Sequence, residues 1–159
     1  MMKRTHALTR LTLAAFAVSM LSLSAATQEQ KVAARDVPTA VINAFKAAYP
    51  NATIRGYAKE KENGKLYYEI ESLDGTTARD LLYNTDGTVA ETEETIAASD
   101  LPVAAQQALQ KQYPKAVVSK AEKTTAGQKV TYEVSARQGK KRISMEFDSS
   151  GKVLKSRAR

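Results

Sequence analysis

The chain has 159 residues, of which 43% are hydrophobic and 26% charged, and its 24 Lys/Arg against 17 Asp/Glu give a formal net charge of +7. This is the composition of a foldable protein of one or two small domains, so disorder is not the default reading. With no cysteine in the sequence, a disulfide framework, a thiolate metal site and a cysteine nucleophile are all excluded.

Residues 1 to 26 read as a signal peptide. Lys3, Arg4 and Arg10 form a positive leader, residues 11 to 23 are apolar with small polar interruptions, and Ser24, Ala25 and Ala26 supply small side chains for cleavage after Ala26. The expected location is therefore periplasmic or secreted. The apolar run is shorter than the roughly 20 residues that span a bilayer, so no integral membrane segment is expected once the signal is removed. His6, the single histidine, leaves with the leader, and the remaining 133 residues carry a net charge of +4. Residues 27 to 35 read as a flexible linker.

A helix is predicted next. Asp36 is placed as its N-cap and Pro38 in its first turn, and Val37, Val41, Ala44, Phe45 and Ala48 recur at helical spacing. Pro50 disfavours helical geometry at Tyr49 and should end the helix there. The period then changes to two. Leu66, Tyr68 and Ile70 alternate with Tyr67, Glu69 and Glu71, and a further strand sets Arg79, Leu81 and Tyr83 against Asp80. Asn63-Gly64, Asp74-Gly75 and Asp86-Gly87 read as turns between antiparallel strands.

The pattern is then written again, 64 residues on. "AYPNATI" at 48 to 54 returns as "QYPKAVV" at 112 to 118, and Asp36-Val37-Pro38 returns as Asp100-Leu101-Pro102. Leu101, Ala105, Ala108 and Leu109 repeat the helix stripe. Val130, Tyr132 and Val134 repeat one strand, and Ile143, Met145 and Phe147 repeat another, with Arg142, Ser144 and Glu146 on its other side. Turns fall at Gly127-Gln128, Gln138-Gly139 and Ser150-Gly151. The predicted fold class is α+β: two tandem repeats, 36 to 99 and 100 to 159, each one helix followed by about four antiparallel strands, with the helices on one face of the sheet or sheets.

The segments "VPTAVINAFKAAYPNA" (37 to 52), "GKLYYEIE" (64 to 71) and "DGTTARDLLYNTDGTV" (74 to 89), with a weaker second copy, resemble the PepSY-like, β-lactamase-inhibitor-like domains of secreted bacterial proteins. That resemblance covers residues 36 to 157. It implies tandem helix-plus-sheet units and a non-enzymatic protein-binding role, as an inhibitor or modulator of a secreted or periplasmic enzyme of the peptidase or β-lactamase type. Its motifs are core and turn residues, so no target-contacting residue carries over from them.

Chemistry narrows the choice from a second direction. Without His or Cys, Ser-His-Asp and Cys-His constellations cannot be built in the exported chain. Glu69 and Glu71 share a strand face about 7 Å apart and read as solvated side chains rather than a catalytic dyad. Residues 84 to 87, Asn-Thr-Asp-Gly, look like the start of a calcium loop but lack its later ligands. No cofactor or metal site is expected. The two halves are electrically opposite: residues 36 to 99 hold six basic and eleven acidic side chains, net −5, and residues 100 to 159 hold thirteen and five, net +8. The basic stretches 140 to 142 and 152 to 159 read as a solvated face, since export and the lack of interleaved aromatics argue against nucleic acid.

The expected binding face is the polar side of the strands: Tyr67, Glu69, Glu71 and Asp80 in the first half, Glu133, Arg142 and Glu146 in the second. Tyr67 stands out because tyrosine is enriched at interface hot spots. The expected partner is another envelope or secreted protein bound by a monomer. The alternative reading is a structural or stress-related envelope protein that pairs with peptide through a sheet edge.

Overall fold

A computed structural model describes residues 28 to 62 and 64 to 159. Residues 1 to 27, which include the segment read as a signal peptide, and Asn63 of the Asn63-Gly64 turn lie outside the described residues. In chain order the elements are β1 (Gln28–Lys31), α1 (Thr39–Ala48), β2 (Thr53–Glu62), β3 (Lys65–Asp74), β4 (Thr77–Asn84), β5 (Val89–Ile96), α2 (Val103–Gln112), β6 (Val117–Ala126), β7 (Lys129–Gln138), β8 (Lys141–Asp148) and β9 (Val153–Ala158).

The nine strands of the described residues form one antiparallel sheet in the order β1 to β9, each paired with its neighbour in sequence. This corrects the α+β expectation of two helix-plus-four-strand repeats: the protein is mostly β, a single continuous sheet carrying two ten-residue helices. The join is made where β5 pairs β6, from Thr92 opposite Thr125 to Ile96 opposite Ala121. An unpaired strand edge exposes a row of backbone donors and acceptors, and edge-to-edge pairing satisfies both rows at once. Residues 28 to 31, read from sequence as linker, extend the sheet further as β1 on β2.

The helices begin later than their sequence suggests. Val37 is extended because it precedes a proline, and Pro38 itself stands at the N-cap position with ψ 138°, so Asp36 sits in a short 3-10 turn and does not cap α1. Pro102 repeats this at α2. Both helices end at the tyrosine before the next proline, Tyr49 and Tyr113, as predicted.

Both helices cover the same face of the sheet. Val37, Val41 and Phe45 pack on Tyr68, Ile70, Leu81 and Tyr83. Leu101, Ala105 and Leu109 pack on Ala121, Val134, Ala136, Ile143, Met145 and Phe147. Each fully buried large side chain contributes about 1.5–3 kcal/mol of apolar transfer, so these two clusters hold the helices down. Between them Arg79 bridges the strands: its Nε lies 3.3 Å from Glu94, its guanidinium stacks 5.0 Å from the Tyr49 ring, and Lys123 reaches Glu94 at 3.9 Å.

Two turns are pressed against the helices. A Cβ on Gly87 would lie 2.7 Å from the Ala40 carbonyl oxygen, and one on Gly151 would lie 2.6 Å from the Ala105 nitrogen. Both glycines also have positive φ, +87° and +84°, so each position needs glycine twice over. The opposite face of the sheet carries no helix among the described residues.

Candidate protein-binding face

Side chains directly opposite each other on paired strands share a face, so the registers map the open side. One row runs Glu71, Asp80, Glu93, Thr124, Thr131 from β3 to β7. Its neighbours run Ala58, Glu69, Leu82, Glu91 and Thr95, Glu122, Glu133, Glu146, Lys155. All seven candidate residues therefore lie on this face: Tyr67, Glu69, Glu71 and Asp80 at one end, Glu133, Arg142 and Glu146 towards the other. They do not form one cluster, because β5 and β6 stand between the two groups.

What fills the gap is more acid. A depression of about 120 Å³ is lined by Glu60, Glu69, Asp80, Leu82, Glu91 and Glu93. Its floor is low because β2 presents Gly56 and the buried Ala58 there; a Cβ on Gly56 would stand 3.1 Å from a Glu71 carboxylate oxygen, and the missing side chain lets Glu71 lie over the strand. The carboxylates are therefore half-buried instead of fully solvated, which corrects the expectation of a solvated Glu69-Glu71 strand face.

Their acidities follow from this crowding. Burial, and after it Glu29, Asp80, Glu60 and Glu71, push Glu69 up to about 7. Burial first, then the hydrogen bond that its protonated carboxyl donates to the Glu122 carboxylate and the charge of that carboxylate, push Glu93 up to about 7 as well. Burial first, and then neighbouring carboxylates, also raise Glu60 and Asp80. Lys120 is the counter-ion: it pairs with Glu122, and that contact raises the lysine. Sequence inspection missed Glu60, Glu91, Glu93 and Glu122 as members of this patch because they come from three other strands, β2, β5 and β6.

Tyr67 is partly exposed beside the patch, opposite Glu60 and Asn84, with Lys65 Nζ 5.0 Å from its ring centroid. Glu133 stands opposite Glu146 and accepts a hydrogen bond from Ser144 at 3.0 Å. The loop once compared with a calcium site is a hairpin turn: Asp86 accepts from the Thr88 amide at 2.9 Å and from its hydroxyl at 2.6 Å. Among the described residues no group of three or more acidic or histidine side chains is arranged to hold a metal ion, and no helix is long and apolar enough to cross a membrane.

Comparison with known proteins follows the fold. The family described as "Putative beta-lactamase-inhibitor-like, PepSY-like" matches residues 24–90 and 66–155. A periplasmic protein from Bacteroides eggerthii is similar in structure at a TM-score of 0.61 and 16% identity, over 77% of this chain and 88% of that one. A BLIP-like protein from Bacteroides fragilis is similar at 0.56 and 22%, over 77% and 86%. No curated protein is similar enough in sequence to count as a relative.

Proposed function

Since the chain belongs to the β-lactamase-inhibitor-like, PepSY-like family, we propose that it is an exported, non-enzymatic module that binds another envelope or secreted protein through the open face of its sheet. The observation that carries this reading is the half-buried acidic patch around Glu69, Asp80 and Glu93, on the face without a covering helix. Carboxylates crowded together and partly desolvated are costly alone, and a cationic partner surface relieves them. Tyr67 beside the patch supplies an amphipathic ring suited to a contact centre.

The partner class best supported is a secreted enzyme presenting lysines or arginines near its active cleft, held as an inhibitor holds its target. Edge pairing with peptide has weaker support. β1 is only four residues long and polar, and β9 carries Lys155 and Arg157, which are the features that blunt sheet edges.

The test is inhibition and binding by residues 27 to 159 against purified secreted peptidases and β-lactamases of the source organism, with Tyr67→Ala/Glu69→Ala as comparison. Saturable binding to one of these, weakened at least tenfold in the double variant and by raised salt, is expected. Equal binding by both proteins, with loss on inserting proline into β9, would transfer the role to the sheet edge.

A further inference from the structure

We propose that the basic groove across β7, β8 and β9 is a binding site for a ligand carrying a diphosphate group. The groove has a volume of about 550 Å³ and is lined by Ser135, Lys140, Arg142, Ser144, Arg157 and Arg159. It lies on the open face, apart from the acidic patch, and does not rest on the inhibitor reading.

The arrangement of cations is what needs explaining. Arg137 stands directly opposite Arg142, and Arg142 exchanges two backbone hydrogen bonds of 2.9 Å with Arg159, so three arginines occupy one row on adjacent strands. In the next row Arg157 stands opposite Ser144, which stands opposite Ser135. Like charges directly opposite destabilise a sheet. Among the described residues none of these arginines is in an ion pair. The nearest side-chain carboxylates on the face, Glu133 and Glu146, stand one row further along, and Glu133 is engaged by Ser144.

Protection of a sheet edge accounts for cations on β9, but Arg137 and Arg142 are on interior strands, where no edge needs guarding. Strands about 4.8 Å apart place neighbouring guanidinium groups to engage adjacent phosphoryl groups at once. Arginine's planar fork suits phosphate oxygens, and the Ser135 and Ser144 hydroxyls add donors. A single phosphate would satisfy only part of this set.

The test is calorimetric titration of the chain with inorganic diphosphate and with inorganic phosphate at low salt. One saturable diphosphate site is expected, about tenfold tighter than phosphate. Arg142→Gln/Arg157→Gln should weaken it at least tenfold, and Arg142→Lys, which keeps the charge and loses the fork, by less. Lys46→Gln/Lys111→Gln, on the exposed sides of the helices, removes the same net charge elsewhere and should leave the affinity unchanged. No saturable site, or equal losses in the two double variants, would overturn the proposal. Neutral vesicles with and without a diphosphate-headgroup lipid then separate the sources: sedimentation with the lipid, reversed by free diphosphate, assigns a lipid headgroup, and binding of free diphosphate alone assigns a soluble ligand.

Discussion

Replacing Glu69 by Gln should make the protein more stable at high pH and change nothing at low pH. Glu69 titrates at about 7, against an ordinary 4.5, chiefly because it is buried and then because Glu29, Asp80, Glu60 and Glu71 surround it. Between those two values the folded state holds a proton that the unfolded state has released. Folded protein thus binds more protons, and stability falls as pH rises from about 4.5 through 7 and stays lowered above it. Taken at about 1.4 kcal/mol per pH unit, the displacement corresponds to roughly 3 kcal/mol. Glu69 is half exposed, so solvent screening reduces this to about 1 kcal/mol. Glutamine mimics the protonated acid in shape and cannot ionise. In a chain of this size 1 kcal/mol moves the melting temperature by about 2–6 °C. Thermal unfolding followed by circular dichroism at pH 4 and pH 8.5 should show no difference between the proteins at the lower pH and a gain of that size for Glu69→Gln at the higher. An equal difference at both pH values, or a less stable variant at pH 8.5, would refute the account of the acidic patch.

Three further outcomes follow from the packing. Gly87→Ala and Gly151→Ala should each cost about 2–4 kcal/mol in urea unfolding, from positive φ and the collision with a helix backbone, whereas Gly64→Ala and Gly75→Ala, with nothing within 4 Å, should cost about 1 kcal/mol. The Tyr83 hydroxyl is buried without a hydrogen-bond partner and its burial pushes it up to about 12. Tyr83→Phe, which installs the residue found 64 positions on at Phe147, should be neutral or stabilising by up to about 1 kcal/mol; a larger loss would reveal a partner for the hydroxyl. Phe45→Ala should cost about 3–5 kcal/mol by the same unfolding assay, because the ring is buried at the centre of the contact between α1 and the sheet.

The helix stripes, their proline-set ends and the inward strand positions were legible in the sequence because each is a local pattern with a period of its own. The continuity of the sheet was not. Nothing in the alternation of Thr92, Glu94 and Ile96 names Thr125, Lys123 and Ala121 as their opposites. β1 escaped notice because Gln28–Lys31 has no apolar alternation to signal a strand; its pairing is made by backbone alone. The same limit applied to the candidate site. Glu69, Glu71 and Asp80 could be placed on a polar face, but the acids that press on them come from β1, β2, β5 and β6, and only register brings those strands to bear. Arg142 was placed with the binding residues and Arg157 and Arg159 with a solvated face, whereas Arg137 carried no signal, because only register sets it opposite Arg142.

The strictly sequential order of the nine strands also bears on how quickly the chain reaches this state. Six of the eight pairings are hairpins closed by short turns, and the other two, β1 with β2 and β5 with β6, span only a helix. Contacts of such small sequence separation lower the loop-closure entropy that slows most β-rich proteins, so folding should be fast for a molecule with this much sheet. The two helix-spanning pairings close the longest loops and should form last. In denaturant-jump kinetics, substitutions in the β5–β6 seam should therefore speed unfolding while leaving the folding rate nearly unchanged.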